Sequence, residues 1–239
     1  MEYGVQLYSV RDITKTDMAG ALAKVKSQGY ASVEFAGFFG LQAAEVAGLL
    51  QKTGLKISGT HTGLAELLDK TEETIAYHKA IGNPRIIVPS ADLGSQEKID
   101  TFVAAVSGLQ ICLKREGLRL GFHNHDREFR LNPDGSVAFE QLVYRTELDL
   151  EIDTFWAYAA GADPVALLKR LQSRVPVIHI KDGYQNGEGM PLGRGTAPVK
   201  AVYETAKDLG IPMVVESETL TPDGLTETDI CIQYLKSIE

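Results

Sequence analysis

The chain has 239 residues, of which 44% are hydrophobic, and carries 24 Lys+Arg against 32 Asp+Glu for a formal net charge of −8. This length and apolar content suit one domain with a sizeable core over residues 1–239. The acidic balance, without any Lys/Arg stripe, opposes a nucleic-acid groove or an anionic membrane surface as partner. Cys112 and Cys231 lie far apart in helix-like segments, so the expectation is free, buried thiols in a reducing compartment and no disulfide framework.

Short apolar runs alternate with amphipathic segments along the whole chain. The predicted strands are Tyr3 to Ser9, Ser32 to Phe35, Lys56 to Thr60, Arg85 to Pro89, Leu118 to His123, Asp149 to Asp153, Val177 to Lys181 and Met213 to Glu216. Between them the three- and four-residue apolar spacing predicts helices over Asp17 to Ser27, Leu41 to Lys52, Thr71 to Ile81, Ser95 to Arg115, Val137 to Arg145, Pro164 to Leu171, Pro198 to Leu209 and Thr226 to Lys236. In the fourth of these, Ile99, Phe102, Val103, Val106, Leu109, Ile111 and Leu113 form the apolar stripe. Ser95 and Asp163-Pro164 read as helix starts. Gly29, Gly54, Gly117 and Gly210 fit the left-handed position that ends a helix before the next strand. The glycine-rich stretch Gly183 to Thr196 reads as a mobile loop.

Eight strand–helix units at about 30 residues each predict a (β/α)8 TIM barrel. A doubly wound open sheet is the rival, because alternation alone does not separate the two. The first strand follows Met1-Glu2 directly, with no basic-then-apolar leader. No apolar stretch approaches the roughly 20 residues of a bilayer span. A cytoplasmic protein with no membrane partner is expected, and a homo-oligomer stays open.

Four successive runs end on metal-capable side chains: Leu118 to Leu120 leads into Gly121-Phe122-His123-Asn124-His125-Asp126, Leu148 to Ile152 ends at Asp153, Val175 to Ile178 at His179, and Pro212 to Val215 at Glu216. In a parallel barrel these tips ring one mouth, where barrel enzymes place their chemistry. Residues two apart on a strand share a face, which sets His123 with Gly121 and His125, Asp153 with Glu151, His179 with Lys181, and Glu216 with Glu218. Without bulges, Gln6, Tyr8, Ser32, Glu34, Gly59 and His61 join the same mouth from the first half. Each residue has a plainer reading alone: Asp153 as a helix cap, Glu216 paired with Lys181, His179, His61 or His125 as hydrogen-bonded structural histidines. Two carboxylates and two imidazoles converging at one rim, however, suit a divalent metal held by His123, Asp153, His179 and Glu216, with Mn²⁺, Co²⁺, Zn²⁺ or Fe²⁺ more suitable than Mg²⁺. No Gly-x-Ser-x-Gly elbow, strand-tip cysteine or Gly-x-Gly-x-x-Gly turn occurs, so acyl-enzyme and dinucleotide chemistry lack their usual agents.

The segments Gly121 to Phe129, Asp153-Thr154-Phe155-Trp156, His179-Ile180-Lys181-Asp182, Leu192-Gly193-Arg194-Gly195 and Val215-Glu216 resemble the xylose isomerase-like TIM barrels. That superfamily comprises the sugar phosphate isomerases/epimerases and endonuclease IV, and the match is to its branch with His-Asn-His after strand five. The resemblance implies a strand-end ligand set of Glu, Asp, His and Glu, whose last three members map onto Asp153, His179 and Glu216. The first position holds His123 instead. In the ketose epimerases of that superfamily two metal-bound glutamates act as paired acid and base, so Glu128 is a candidate replacement and, equally, a candidate solvated loop charge. The resemblance further implies a small carbohydrate substrate. Glu216, His125 or Glu128 would then act as base and Lys181 as an oxygen contact or a mere partner of Glu216. His61, Glu34, Trp156 and Arg194 would contact substrate, with a core tryptophan and a solvated arginine as the plainer alternatives for the last two. The expected reaction is isomerisation or epimerisation by proton abstraction beside a metal-polarised carbonyl. A β-eliminating lyase or dehydratase is the runner-up, and phosphodiester cleavage and a non-catalytic sugar-binding barrel stand further back.

Overall fold

The computed structural model describes all 239 residues, Met1–Glu239. Eight parallel strands close a barrel in the order β1 (Gly4–Gln6), β2 (Ser32–Phe35), β3 (Lys56–His61), β4 (Arg85–Val88), β5 (Arg119–His123), β6 (Asp149–Asp153), β7 (Ile178–Ile180) and β10 (Met213–Val215), with β10 returning to pair β1. This closure excludes the open doubly wound sheet. A short antiparallel hairpin, β8 (Asp182–Gly183) with β9 (Gly189–Met190), stands on the mouth after β7.

Each barrel strand leads to a covering helix: Met18–Gln28, Ala43–Thr53, Thr71–Ala80, Gln96–Arg115, Ala138–Arg145, Pro164–Leu171, Val199–Leu209 and Gly224–Ser237. Local chemistry sets their ends. Ser95 accepts from Lys98 N at 3.3 Å, and Asp163 accepts from Val165 N and Ala166 N at 2.9 and 3.1 Å, each satisfying orphan donors of a first turn. Gly29, Gly54, Gly117 and Gly210 all have positive φ at the joints. The stripe of Gln96–Arg115 is buried through Ile99, Phe102, Val103, Val106, Leu109 and Leu113, whereas Ile111 is exposed. It follows Leu109 by two residues, about 200° round the helix, and therefore leaves the apolar face. Cys112 beside it is exposed too, correcting the expectation of two buried thiols; Cys231 is buried and both are free.

Three further departures concern the strand ends. The chain bends out of β1 at Leu7 into a 3₁₀ turn and the short helix Arg11–Thr14, so Tyr3 to Ser9 is not one strand. Short helices Leu64–Asp69 and Thr154–Ala159 begin soon after β3 and β6. The stretch Gly183 to Thr196 is also more ordered than its glycine content suggests. The buried Asp182 carboxylate accepts from four backbone N–H groups, those of Gly183, Gly193, Gly195 and Ala197, at 2.8 to 3.1 Å.

Candidate metal centre

The mouth gathers the four strand tips. His123 ends β5, Asp153 ends β6, His179 is the middle of β7, and Glu216 follows β10; one donor atom from each lies within 4.8 Å of the others. All four side chains are buried. His123 Nδ1 lies 3.3 Å from the Pro89 carbonyl, an acceptor, so Nδ1 carries the proton and the Nε2 lone pair faces Asp153 Oδ2 at 3.5 Å. Asp153 Oδ1 accepts from Trp156 N at 2.9 Å and caps the following helix, leaving Oδ2 to the mouth. Asn124 turns the other way and ties β5 to β6, donating to the Asp153 carbonyl at 3.2 Å and accepting from Asp153 N at 3.1 Å.

Three donor atoms of this set, His123 Nε2, Asp153 Oδ2 and His179 Nδ1, are buried without a hydrogen-bond partner. Buried polar atoms left unmade cost about 1–3 kcal/mol each, and convergent imidazole nitrogens and carboxylate oxygens are the donors a divalent cation takes. The residues present therefore fit such an ion. A proton competes with such an ion for this set, because a metal-bound imidazole must give up the proton at its ligating nitrogen. Burial works against charge on both Glu216 and His179. On Glu216, Lys181 and His179 outweigh it and hold the carboxyl well below its usual range; on His179, Glu151 and Glu216 outweigh it and hold the imidazole well above.

Around this set, Lys181 Nζ is 3.3 Å from Glu216 Oε2 and 4.0 Å from Asp153 Oδ2, is paired with Glu218, and lies 4.8 Å from the Trp156 ring centroid. Burial opposes its charge, but Glu216, Asp153 and Glu218 raise it above the ordinary lysine value, so it stays an ammonium. His125 stands with its ring 4.9 Å from His123 and 5.8 Å from Trp156. Burial first, then the neighbouring His123, pushes His125 down to about 4, which leaves it neutral at ordinary pH. Tyr8, Ser90, His61, His123, His125, Glu216 and Glu218 are among the residues lining the cavity of about 410 Å³ at this mouth.

Two expected mouth residues lie elsewhere. Glu128 is neither a base in the mouth nor a solvated charge: its buried carboxylate accepts from His125 N at 2.7 Å and from Arg127 Nε at 2.9 Å, which fixes the turn after β5. Glu34 has no exposed surface and does not line the mouth cavity; its Oε2 accepts from Gln6 Nε2 at 2.7 Å and lies 2.7 Å from His179 Nε2. A register shift between Val33 and Glu34, where a bulge-free strand was expected, accompanies that placement. His61 reaches both levels, touching Glu151 below at 2.7 Å while lining the cavity. Trp156 is half-buried against Lys181 and His125, and Arg194 points to solvent on the loop held by Asp182. Glu151, Glu218 and Tyr8 were visible only as face-sharing neighbours of the singled-out residues; alternation is the signal that finds Glu151 inside β6, whereas Tyr8 and Glu218 lie past the ends of β1 and β10.

No curated protein matches the sequence. Among solved structures, a sugar phosphate isomerase/epimerase from Parabacteroides distasonis aligns with TM-score 0.84 at 22% identity, over 98% of this chain and 96% of that one. An L-ribulose 3-epimerase aligns with TM-score 0.77 at 15% identity, over 100% and 94%. A probable 3-DHS dehydratase from Bacillus anthracis aligns with TM-score 0.76 at 14% identity, over 100% and 98%. At such identities the shared property is the fold. The sequence itself matches the family described as xylose isomerase-like TIM barrel over residues 22–238, most of its length. With a closed barrel and its strand tips gathered at one mouth, the chain belongs to the xylose isomerase-like TIM barrel family.

Proposed function

We propose that the protein is a divalent-metal-dependent enzyme acting on a keto-sugar or sugar phosphate, an isomerase or epimerase that moves a proton next to a carbonyl. One observation carries the reading: partnerless buried donors on His123, Asp153 and His179 meet the Glu216 carboxylate beside a charged Lys181 and a neutral His125. The cation would supply Lewis acidity that polarises the substrate carbonyl, and the mixed imidazole–carboxylate set suits Mn²⁺, Co²⁺, Zn²⁺ or Fe²⁺ better than Mg²⁺. Lys181 holds Glu216 and Glu218 in place and sets positive charge where the carbonyl oxygen gains negative charge. His125, neutral and with a buried Nδ1 that has no partner, is the group able to take the proton from carbon and return it. Tyr8 and Trp156 offer aromatic faces to the carbon skeleton of a sugar. The shared fold of a sugar phosphate isomerase/epimerase and an L-ribulose 3-epimerase agrees with this reading.

A lyase or dehydratase is the second reading, and one observation favours it. The β5 tip offers His123 and no glutamate, and Glu128 is tied into the turn instead of replacing one. Epimerisation by two opposed glutamates lacks a partner here, whereas expulsion of a β-substituent needs a single base. The dehydratase that shares the fold agrees with it. Turnover of candidate keto-sugars in D₂O by the metal-loaded protein tests both. Deuterium at the carbon beside the carbonyl supports isomerisation or epimerisation, and loss of the β-substituent supports the lyase. Full retention of that hydrogen with no isotope effect overturns proton abstraction and points to a hydride shift between carbons.

A further inference from the structure

Beneath the donor set lies a second group of ionisable side chains with no part in the proposed reaction: the buried Glu34 and Glu151 and the half-buried His61, which share His179 with the first group. Glu34 Oε2 is 2.7 Å from His179 Nε2 and 3.4 Å from His61 Nε2; Glu151 Oε2 is 2.7 Å from His61 Nε2 and 3.4 Å from His179 Nε2. Gln6 donates to Glu34 at 2.7 Å and is itself anchored, its Oε1 accepting from Tyr8 N at 3.0 Å. Gly59 makes the room: a Cβ there would stand 2.8 Å from Glu34 Oε1.

The arrangement has a direction. An imidazole offers a lone pair at Nδ1 only while its proton sits on Nε2. On His179 the Nε2 side faces a carboxylate at hydrogen-bond distance, while Nδ1 lies 3.3 Å from Glu216 Oε2 without making a hydrogen bond. Burying two carboxylates under a barrel floor is costly unless they are paired, and here the pairing is shared between two histidines, with Glu34 nearest His179 and Glu151 nearest His61. We infer that Glu34, braced by Gln6, His61 and Glu151, is a positioning residue of the metal centre: it keeps the His179 proton on Nε2 and turns the Nδ1 lone pair toward His123, Asp153 and Glu216. The inference rests on the metal-centre reading. Its rival is also visible. Glu34 Oε1 and Glu151 Oε1 have no partner, so the lower group could hold a cation of its own.

Calorimetric titration with Co²⁺ of the wild type, E34A, E34Q and E151Q separates the two, with the visible Co²⁺ band recorded at each end point. Partners behind a metal-bound histidine are worth about 10- to 100-fold in affinity. Wild type is expected to take one Co²⁺ per chain, and E34A to bind it weaker by that range with an altered band. E34Q should recover part of the loss, since its amide oxygen still accepts from Nε2–H. E151Q, isosteric and still able to fold should E34A fail, should show a smaller loss. In the Zn²⁺-loaded wild type the His179 Nε2 proton should give a slowly exchanging low-field NMR signal that E34A or E34Q weakens; a purely structural role leaves it unmoved. Variants that bind Co²⁺ like wild type with an unchanged band overturn the positioning role while the metal centre stands. Two Co²⁺ per wild-type chain, the second lost in E151Q, overturn it in favour of a second cation site. A wild type that binds no Co²⁺ overturns the centre and the role together.

Discussion

Asp153 divides one carboxylate between two duties, with Oδ1 capping the helix Thr154–Ala159 and Oδ2 turned to the donor set. Asp153→Asn keeps an oxygen for the cap and loses the anionic donor, so it is expected to shed most bound metal with little loss of stability. Asp153→Ala should lose the metal and about 1 kcal/mol more, the usual worth of a cap. Metal analysis and denaturant midpoints read the two effects apart, and His179→Ala and Glu216→Ala should match the metal loss. Stoichiometric metal retained in all of these variants would remove the site. His125→Gln, by contrast, is expected to keep the metal and lose turnover. The base must be neutral to act, and burial with His123 holds its pKa down to about 4. The acid limb of kcat/KM due to His125 should therefore appear near pH 4, well below the unperturbed histidine value of about 6.5. If His125→Gln sheds metal and His123→Gln keeps it, the two roles are exchanged. The four tips were legible because strand ends and alternation place them without reference to anything distant. The link between Glu34 and His179 was not, since it crosses the barrel interior and depends on a local register shift. The fate of Glu128 was hidden for a different reason: it is decided by one backbone N–H in the turn.

Elements were legible where periodicity and caps agree, as in Gln96–Arg115 and Pro164–Leu171. They were less so where a polar side chain organises irregular backbone. Asp182 is the clearest case, because glycine content suggests mobility while one buried carboxylate collects four N–H groups. Asp182→Ala is expected to cost about 2–4 kcal/mol, since charged hydrogen bonds contribute more than neutral ones and do not add fully. It should also open residues 183–197 to limited proteolysis. Unchanged stability and unchanged cleavage would show the loop to be held by other contacts. A second element-level case is His78, on the helix Thr71–Ala80. Its Nδ1 lies 3.0 Å from Asn83 Nδ2, a donor, and its Nε2 is 3.4 Å from Thr62 Oγ1, so the ring is buried in its neutral form. Burial pushes its pKa down to about 4. The unfolded chain takes up that proton near pH 6.5 and the folded one only near pH 4, so the stability due to this site is complete above pH 6.5 and declines as pH falls through that window. The decline is on the order of 3 kcal/mol at most. Denaturant unfolding between pH 7 and 4 should show a slope in the wild type that His78→Gln flattens; equal slopes in both would place its source elsewhere.

Across the whole molecule, the eightfold alternation announced a barrel but not its closure, which depends on β1 pairing with β10 from opposite ends of the sequence. The final helix secures that seam. Tyr30 Oη donates to the Thr228 carbonyl at 2.8 Å, Gln28 Nε2 to the Leu225 carbonyl at 2.8 Å, and Cys231, Ile232 and Leu235 enter the core. The same helix grips the segment that carries Glu216 and Glu218. Glu227, with no exposed surface, accepts from Ser217 Oγ at 2.7 Å and Thr221 N at 2.8 Å and bonds Thr219, while Ser217 N donates to Ser9 Oγ at 3.0 Å. Both ends of the chain thus hold the residue between the two mouth glutamates. Removing the carboxylate leaves those buried donors without an acceptor, so Glu227→Ala is expected to cost about 2–4 kcal/mol. Because Ser217 lies between Glu216 and Glu218, the variant should also weaken Co²⁺ binding, although Glu227 touches none of the four donors. Glu227→Gln keeps one acceptor oxygen and should fall between wild type and alanine in both measurements. Denaturant midpoints and Co²⁺ titration together decide the matter. Lost stability with undiminished Co²⁺ affinity would show that the seam is braced independently of the mouth, and parallel losses would show that the barrel's closure and its metal centre share one support.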